Sequence, residues 1–167
     1  MLQMKLCGNP VLRQRCTPVA DITPELNAIM DEMIEMMRAQ NGVGLAAPQV
    51  GIASRFLVML DPDTETVYRM INPAIVSFDA EPCSMEEGCL SILNKKSVPI
   101  YSYVTRPKSV VVEWTDEHGE QKKAQMSGYP GRIVQHEIDH LDGKLFIDHL
   151  PSVRREMVMR KVKKYNN

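Results

Sequence analysis

The sequence has almost no net charge. Its 20 basic and 21 acidic residues give a formal charge of −1, and the pI is about 6.4. A protein that binds nucleic acid through electrostatics needs a clear basic surplus. The composition therefore argues against DNA as a partner of the chain as a whole.

Long apolar runs are also absent. No run of about 18 apolar residues occurs that could cross a membrane as a helix. The first residues, M-L-Q-M-K-L-C-G-N-P, lack the basic start and apolar core of a signal peptide. We therefore expect no membrane association and a cytoplasmic location.

The sequence contains few cysteines, and their spacing matches no disulfide or metal-binding motif. Cys7, Cys16, Cys83 and Cys89 form no C-x-x-C motif, and the chain carries twelve methionines. This usage is typical of a reducing compartment rather than of a disulfide framework. The 167 residues, 44% of them apolar, predict a single domain over residues 1–167.

Helical and strand patterns follow one another along the chain. Thr23-Pro24-Glu25 is typical of a helix start, and apolar residues at helical spacing continue to Met37. Strand patterns follow at residues 55–60, 67–71 and 74–78, with a break predicted at Asn72-Pro73. A hairpin is predicted for residues 109–115 and 121–126. We expect an α+β fold, in which antiparallel or mixed sheets pack around a central helix between an N-terminal and a C-terminal helix.

The C-terminal segment, residues 152–167, predicts an amphipathic helix with a basic face. Its apolar stripe would be Val153, Met157, Val158, Val162 and Tyr165. Six basic residues oppose one acid, so the segment carries 6 − 1 = +5; they are Arg154, Arg155, Arg160, Lys161, Lys163 and Lys164, against Glu156. A solvated face is the usual role of such a run.

Two of the four histidines share one short motif, His136-Glu137-Ile138-Asp139-His140. Histidines four residues apart lie one turn apart on one helical face, where both imidazoles can bind one cation. H-E-x-x-H is a signature of zinc hydrolases in which the glutamate is the general base. Catalytic zinc usually has three protein ligands and a water, so a third ligand is needed.

Cys89 and His149 are the candidates for the third ligand. A Cys89 thiolate would complete a His₂Cys site with an open position, and Gly88 leaves room for the backbone to approach a metal. The metzincin pattern fails at Phe146, and His149 lies three residues beyond its frame. These residues favour Cys89. A zinc endopeptidase using His149, and a purely structural metal without catalysis, are the alternatives.

Three motifs together resemble the peptide deformylase family. In chain order they are G-V-G-L-A-A-P-Q at Gly42–Gln49, E-G-C-L-S at Glu87–Ser91 and Q-H-E-I-D-H at Gln135–His140. The resemblance implies a metal-dependent hydrolase that removes the formyl group from the N-terminal formyl-methionine of nascent polypeptides and releases formate.

The resemblance also implies roles for single residues. The metal would be Fe²⁺, with Zn²⁺, Ni²⁺ or Co²⁺ able to replace it, and its ligands would be Cys89, His136 and His140. Glu137 would be the general base, and the Gln49 side-chain amide and the Leu90 backbone N–H would bind the oxyanion. The substrate would contact Val43, Gly44, Met85, Tyr129 and Ile133. Glu87 would be supported by an arginine, for which Arg106 is the candidate.

The chain departs from the family pattern after the E-G-C-L-S motif. Leu93 stands where the family usually has proline, and residues 94–103 contain an insertion of about five residues that would border the substrate cleft. An altered peptide preference is therefore an alternative to the common specificity. In bacterial relatives a C-terminal helix docks on the ribosome, and the basic face of residues 152–167 raises the same hypothesis here.

Overall fold

The structure is a computed structural model and describes residues 2–162. Three α-helices occur within this range: α1 (Pro24–Ala39), α2 (Gly128–Leu141) and α3 (Ser152–Lys161). The strands are β1 (Gly44–Ala46), β2 (Phe56–Asp61), β3 (Thr66–Phe78), β4 (Pro82–Glu87), β5 (Ser102–Pro107), β6 (Ser109–Thr115) and β7 (Gln121–Ser127). Short 3₁₀ turns cover Pro10–Arg13, Ala47–Val50 and Phe146–His149.

The described strands form two antiparallel sheets. The larger has the order β1-β2-β3-β6-β7, and β4 and β5 pair as a separate ribbon. Every pairing between these strands is antiparallel. The predicted α+β fold with antiparallel sheets is therefore confirmed.

Helix α1 begins where its sequence predicts. The Thr23 hydroxyl accepts a hydrogen bond from the Leu26 N–H at 3.2 Å, and Pro24 occupies the first turn, where its missing N–H costs nothing. The buried face carries Met30, Met33 and Met37 against the larger sheet. The methionine stripe is core.

The predicted break at Asn72-Pro73 is a bend inside one strand. Asn72 has a φ of 52°, and the pairing of β3 with β6 shifts register between Ile71 and Ala74. The Asn72 side chain accepts from the Val19 N–H and donates to the Val19 carbonyl, which fixes this unusual conformation. Because the segment around Val19 supplies these two hydrogen bonds, the bend is stable and the strand resumes after it.

Helix α2 lies at the centre and joins the two halves of the core. Ile133, Val134 and Ile138 pack on the larger sheet, against residues that include Met59 and Val112. The opposite side of the helix carries the histidines and faces the β4–β5 ribbon. The helix ends at Leu141, and Gly143, with a φ of 72°, reverses the chain after it.

Helix α3 differs from its predicted stripe. Val158 and Val162 are buried, but Val153 and Met157 are exposed, because only one side of this short helix touches the body of the protein. Lys163, Lys164 and Tyr165 lie outside the described residues. No helix within residues 2–162 is long and apolar enough to cross a bilayer.

Candidate metal centre and active site

Helix α2 and the turn after β4 bring three metal-binding side chains together. His136 and His140 project from one face of α2, and Cys89 lies two residues after the end of β4. The potential ligand atoms of these three residues all lie within 4.8 Å of one another, and Cys89 Sγ is 3.3 Å from His140 Nε2. All three side chains are buried. The structure thus brings together the three side chains that the sequence predicts as metal ligands.

The donors suit a divalent transition metal. One thiolate and two imidazoles are a common ligand set for such ions. Glu87 Oε2 lies 2.9 Å from His136 Nδ1. An ionised Glu87 fixes the proton on that nitrogen, so Nε2 keeps a lone pair for a cation. The arrangement of carboxylate, histidine and ligand site matches that of known metal centres.

Glu87 is the centre of a buried charged network. Arg106 donates to both of its carboxylate oxygens, from Nε at 2.6 Å and from Nη2 at 3.0 Å. Burial alone would raise the pKa of Glu87, but the hydrogen bonds from His136 and Arg106 outweigh it and hold that pKa well below the usual range. These contacts therefore favour the ionised form of Glu87. Arg106, proposed from the sequence as its partner, occupies that position.

Arg132 is a member of this network that the motifs did not reveal. Its Nη1 donates to Glu87 Oε1 and to the Val104 carbonyl, both at 3.0 Å, and its Nη2 donates to the Cys83 carbonyl at 2.6 Å. The sequence does contain a feature that points to it. Arg132 precedes His136 by four residues, so the two side chains lie on the same face of the helix. It clamps α2 to the β4–β5 ribbon.

His149 belongs to the outer end of the same network. Its Nε2 lies 2.7 Å from Asp139 Oδ2, and Arg106 Nη1 donates to the same oxygen at 2.6 Å. The ring is thus engaged by Asp139 and stands outside the Cys89, His136 and His140 cluster. The endopeptidase alternative, which needs His149 as the third ligand, loses its structural basis.

Glu137 is buried beside the ligand cluster. Its Oε2 has no hydrogen-bond partner among the described residues. Burial raises its pKa to about 7, although the nearby His136 opposes that shift. A carboxyl group with a pKa near neutrality and an unclaimed oxygen can accept and return a proton.

Gln49 is aimed at the cluster by the backbone of its own segment. A short 3₁₀ turn, Ala47–Val50, follows the strand β1, and the Ala46 N–H donates to Gln49 Oε1 at 2.8 Å. This bond leaves Nε2 pointing to Ser91 Oγ at 3.1 Å and to Cys89 Sγ at 3.5 Å. The buried amide therefore presents a donor to the ligand site.

A cavity of about 280 Å³ opens from this cluster to the surface. This is near the lower limit for small-ligand sites, roughly 300 Å³. The cavity is lined by most of the residues predicted to contact substrate: Val43, Gly44, Tyr129 and Ile133, together with Gln49, Leu90, His136 and Glu137.

Met85 does not line the cavity, contrary to expectation. It pairs with Val104 inside the β4–β5 ribbon, two residues before Glu87. The cavity reaches β4 only at Glu86 and Glu87, at the C-terminal end of the strand. Sequence proximity to the E-G-C-L-S motif therefore overestimated how far the cavity extends along this strand.

Comparisons with known proteins agree on one family. The family model for polypeptide deformylase matches residues 1–156. The chain is 40% identical over 164 residues to the peptide deformylase of Endomicrobium trichonymphae, covering 98% of this chain and 94% of that protein. It is also 40% identical over 161 residues to the peptide deformylase of Treponema pallidum (strain Nichols), covering 96% and 94%.

Solved structures give the same result. The peptide deformylase of Thermotoga maritima aligns with a TM-score of 0.83 at 40% identity, over 90% of this chain and 98% of that one. The peptide deformylase of Ehrlichia chaffeensis in complex with actinonin aligns with a TM-score of 0.89 at 32% identity, over 96% and 95%.

Proposed function

Because this chain belongs to the peptide deformylase family, we infer that the cluster of Cys89, His136 and His140 is the metal site of an enzyme that removes the formyl group from nascent polypeptides. The enzyme is a metal-dependent hydrolase of protein N-terminal processing. The observation that carries the site assignment is the convergence of the three ligand atoms beside the buried Glu137.

We propose Fe²⁺ as the physiological metal, on the strength of the family resemblance. The same three donors can also bind Zn²⁺, Ni²⁺ or Co²⁺, and supply in the cell decides between them. When bound, such a cation acts as a Lewis acid that polarises a carbonyl and lowers the pKa of water.

Glu137 moves the proton in the proposed reaction. Its carboxylate takes a proton from the attacking water, whose oxygen forms a bond to the formyl carbon. The same group then passes the proton to the amine nitrogen as the C–N bond breaks. The products are formate and a free α-amine, and Glu137 is regenerated.

Gln49 and Leu90 stabilise the charge that develops on the formyl oxygen. The Gln49 Nε2–H and the Leu90 backbone N–H are the proposed donors, and both residues line the cavity. Gln49 is held in place through the Ala46 N–H before the substrate arrives. Donors fixed in advance in this way are worth roughly 3–4 kcal/mol each in the transition state.

The methionine side chain enters the apolar part of the cavity. Ile133 lies one turn beyond Tyr129 on α2, and Val43 faces them from the segment before β1. An unbranched thioether fills such an irregular space well. The small cavity explains why one side chain, rather than a folded peptide, is the unit of recognition.

The direct test is an anaerobic assay of formate release from a formyl-methionyl peptide by metal-loaded enzyme. We expect formate from the wild type, and a loss of at least about 100-fold in Glu137→Ala because proton transfer is lost. Cys89→Ala should lose its metal, while His149→Ala should keep it. Wild-type enzyme that releases no formate, or a Cys89→Ala variant that retains its metal, would overturn the assignment.

We also propose that the enzyme works in the cytoplasm and docks on the ribosome through α3. The support is the exposed basic side of α3, where Arg154 and Lys161 are solvent-accessible and suited to RNA phosphates. The four cysteines are free thiols, as in a reducing compartment.

Cosedimentation with ribosomes at low and high salt tests the docking. Deletion of residues 152–167 should weaken binding, and so should the double variant Arg154→Glu/Lys161→Glu, which keeps Val158 in the core. Unchanged binding at low salt in the charge-reversed variant would refute this role.

A further inference from the structure

The segment that contains the predicted insertion, residues 94–103, is ordered by its own hydrogen bonds. Asn94 Oδ1 accepts from the N–H groups of Lys96 and Val98, at 2.8 and 3.1 Å. The Ile100 N–H donates to the Ile92 carbonyl at 3.0 Å, and Ile92 is fully buried. The loop is thus a fixed projection anchored in the core.

This loop places the ring of Tyr101 on Gly88. A Cβ atom at Gly88 would lie 2.5 Å from Tyr101 Cε1 and 2.7 Å from Cδ1. The φ angle of Gly88 is not in the left-handed region, so the backbone conformation does not require glycine. Glycine is required because any side chain here would clash with the Tyr101 ring. The pairing of Glu87 with Ser102 sets the contact, because it brings the next residues, Gly88 and Tyr101, opposite each other.

Tyr101 stands at the mouth of the active-site cavity. It lines the cavity with Pro99 and Tyr129, yet it is 59% exposed, whereas Ile133 deeper in the cavity is 4% exposed. Burial raises the pKa of Tyr129, and the nearby Tyr101 adds to this effect. Because Tyr101 and Tyr129 both line the cavity and are both exposed, the two rings flank its opening.

Geometry limits which substrate residue can meet Tyr101. The formyl group reacts beside Cys89, and the methionine side chain occupies the inner cavity. An extended chain advances about 3.3–3.6 Å per residue. Since Tyr101 packs on Gly88, the neighbour of Cys89, the side chain directly after methionine is the one that passes its ring.

We propose that Tyr101 is a specificity-determining residue that selects an aromatic or large apolar side chain at the second position of the formyl peptide. This inference rests on the proposed function and adds a preference to it. The rings of Tyr101 and Tyr129, with Pro99, form an apolar mouth that favours such a side chain. Glu86 also lines the cavity and is exposed, so an acidic second residue is disfavoured by like charge.

The test compares kcat/KM for the peptides formyl-Met-Ala, formyl-Met-Leu, formyl-Met-Phe and formyl-Met-Asp, each with the same C-terminal extension. Wild-type enzyme should favour Phe and Leu over Ala, and Asp should be the poorest. Tyr101→Ala should lower kcat/KM for the Phe and Leu peptides by about three- to tenfold, as expected for a lost aromatic contact, and leave the Ala peptide within about twofold.

Tyr103→Ala is the matched control. Tyr103 is 60% exposed and two residues away, but it does not line the cavity, so its loss should leave the preference unchanged. Tyr101→Phe keeps the ring and should behave as wild type. Tyr101→Leu keeps an apolar group against Gly88, and it replaces Tyr101→Ala as the test variant if the alanine variant does not fold. It should reduce the ratio of the Phe to the Ala peptide.

Three results would overturn the inference: a wild type without preference, an unchanged preference in both Tyr101→Ala and Tyr101→Leu, or an equal loss on all four peptides. The last would mean that Tyr101 supports the metal site through Gly88 and selects nothing. These outcomes differ from failure of the proposed function, in which wild-type enzyme releases no formate from any of the peptides.

Discussion

A Cβ atom on Gly44 would lie 2.4 Å from Oε1 of Glu137. Gly44 is not in the left-handed region of φ, so the backbone itself does not require glycine there. What requires it is the carboxylate, which lies against the Gly44 backbone where β1 passes α2. The first and third sequence motifs therefore meet where Gly44 contacts Glu137. The position of the carboxylate excludes a side chain at residue 44, and the Gly44 backbone in turn restricts where the carboxylate can lie.

We predict that Gly44→Ala displaces Glu137 and lowers kcat/KM by about 100-fold or more. Both partners are enclosed, and a shift of about 1 Å at a reacting group can cost this much. The rate of formate release measures the fall in kcat/KM, and thermal unfolding measures the accompanying loss of stability. Full activity in this variant would show that Glu137 is not held in place by β1.

Two controls separate the contact from a general effect of alanine. Gly119→Ala should lower stability without changing kcat, because Gly119 has a φ of 85° in a distant turn, where an added Cβ would meet only Ile22 Cδ1, at 4.0 Å. In a Glu137→Ala background, Gly44→Ala should destabilise less than it does in the wild type, because the clashing oxygens are gone.

The features that were predictable from sequence depend on local signals. Short stretches of sequence are enough to predict the Thr23 cap, the β6–β7 hairpin and the shared helical face of His136 and His140. The choice of Cys89 depends on thiolate chemistry, on the failed metzincin frame and on the family motifs, because nothing local links positions 89 and 136. The role of Arg132, the β4–β5 ribbon and the exclusion of Met85 from the cavity depend on packing between distant segments, which short patterns do not encode.

Arg132 should be important for stability, because it bonds to the buried Glu87 and to the β4–β5 ribbon. Arg132→Met removes one of the two arginines on the buried Glu87, together with the side-chain donors to the Cys83 and Val104 carbonyls. Breaking a buried charged pair typically costs about 3–5 kcal/mol. Urea denaturation should show a loss of this size. Arg38→Met, at an exposed site on α1, should change stability by no more than about 0.5 kcal/mol. Equal effects of the two substitutions would contradict this role.

The Asp148–Arg13 pair should make stability depend on acid pH. Burial alone would raise the pKa of Asp148, but hydrogen bonds from Arg13 and from the Leu145 N–H hold it below its usual 3.8. The stabilisation is therefore fully present above about pH 4 and is lost as the pH falls through the lowered folded-state pKa. Asp148→Asn should cost roughly 0.5–1 kcal/mol at pH 7, since the pair is partly exposed.

The measurement is the unfolding free energy of both proteins from pH 7 down to pH 3. The difference between wild type and Asp148→Asn should shrink below about pH 4. Glu35→Gln is the control, because Glu35 and Arg38 are exposed and 3.7 Å apart, and it should have little effect at pH 7. A difference that persists unchanged to pH 3 would rule out ionisation of Asp148 as its source.

Gln49→Glu tests whether the side-chain amide acts as an oxyanion donor. A glutamate at this position keeps the oxygen that accepts from the Ala46 N–H, so the local fold should remain, but it removes the Nε2–H donor aimed at the ligand site. Losing one such donor typically lowers kcat by about 10²–10³-fold. Metal content should stay at the wild-type level, because Gln49 is not one of the three ligands. Gln125→Glu, on the exposed side of β7, should leave both kcat and metal content unchanged. A fall in metal content matching the fall in kcat would instead make Gln49 a support for Cys89, since its Nε2 also lies 3.5 Å from that sulfur.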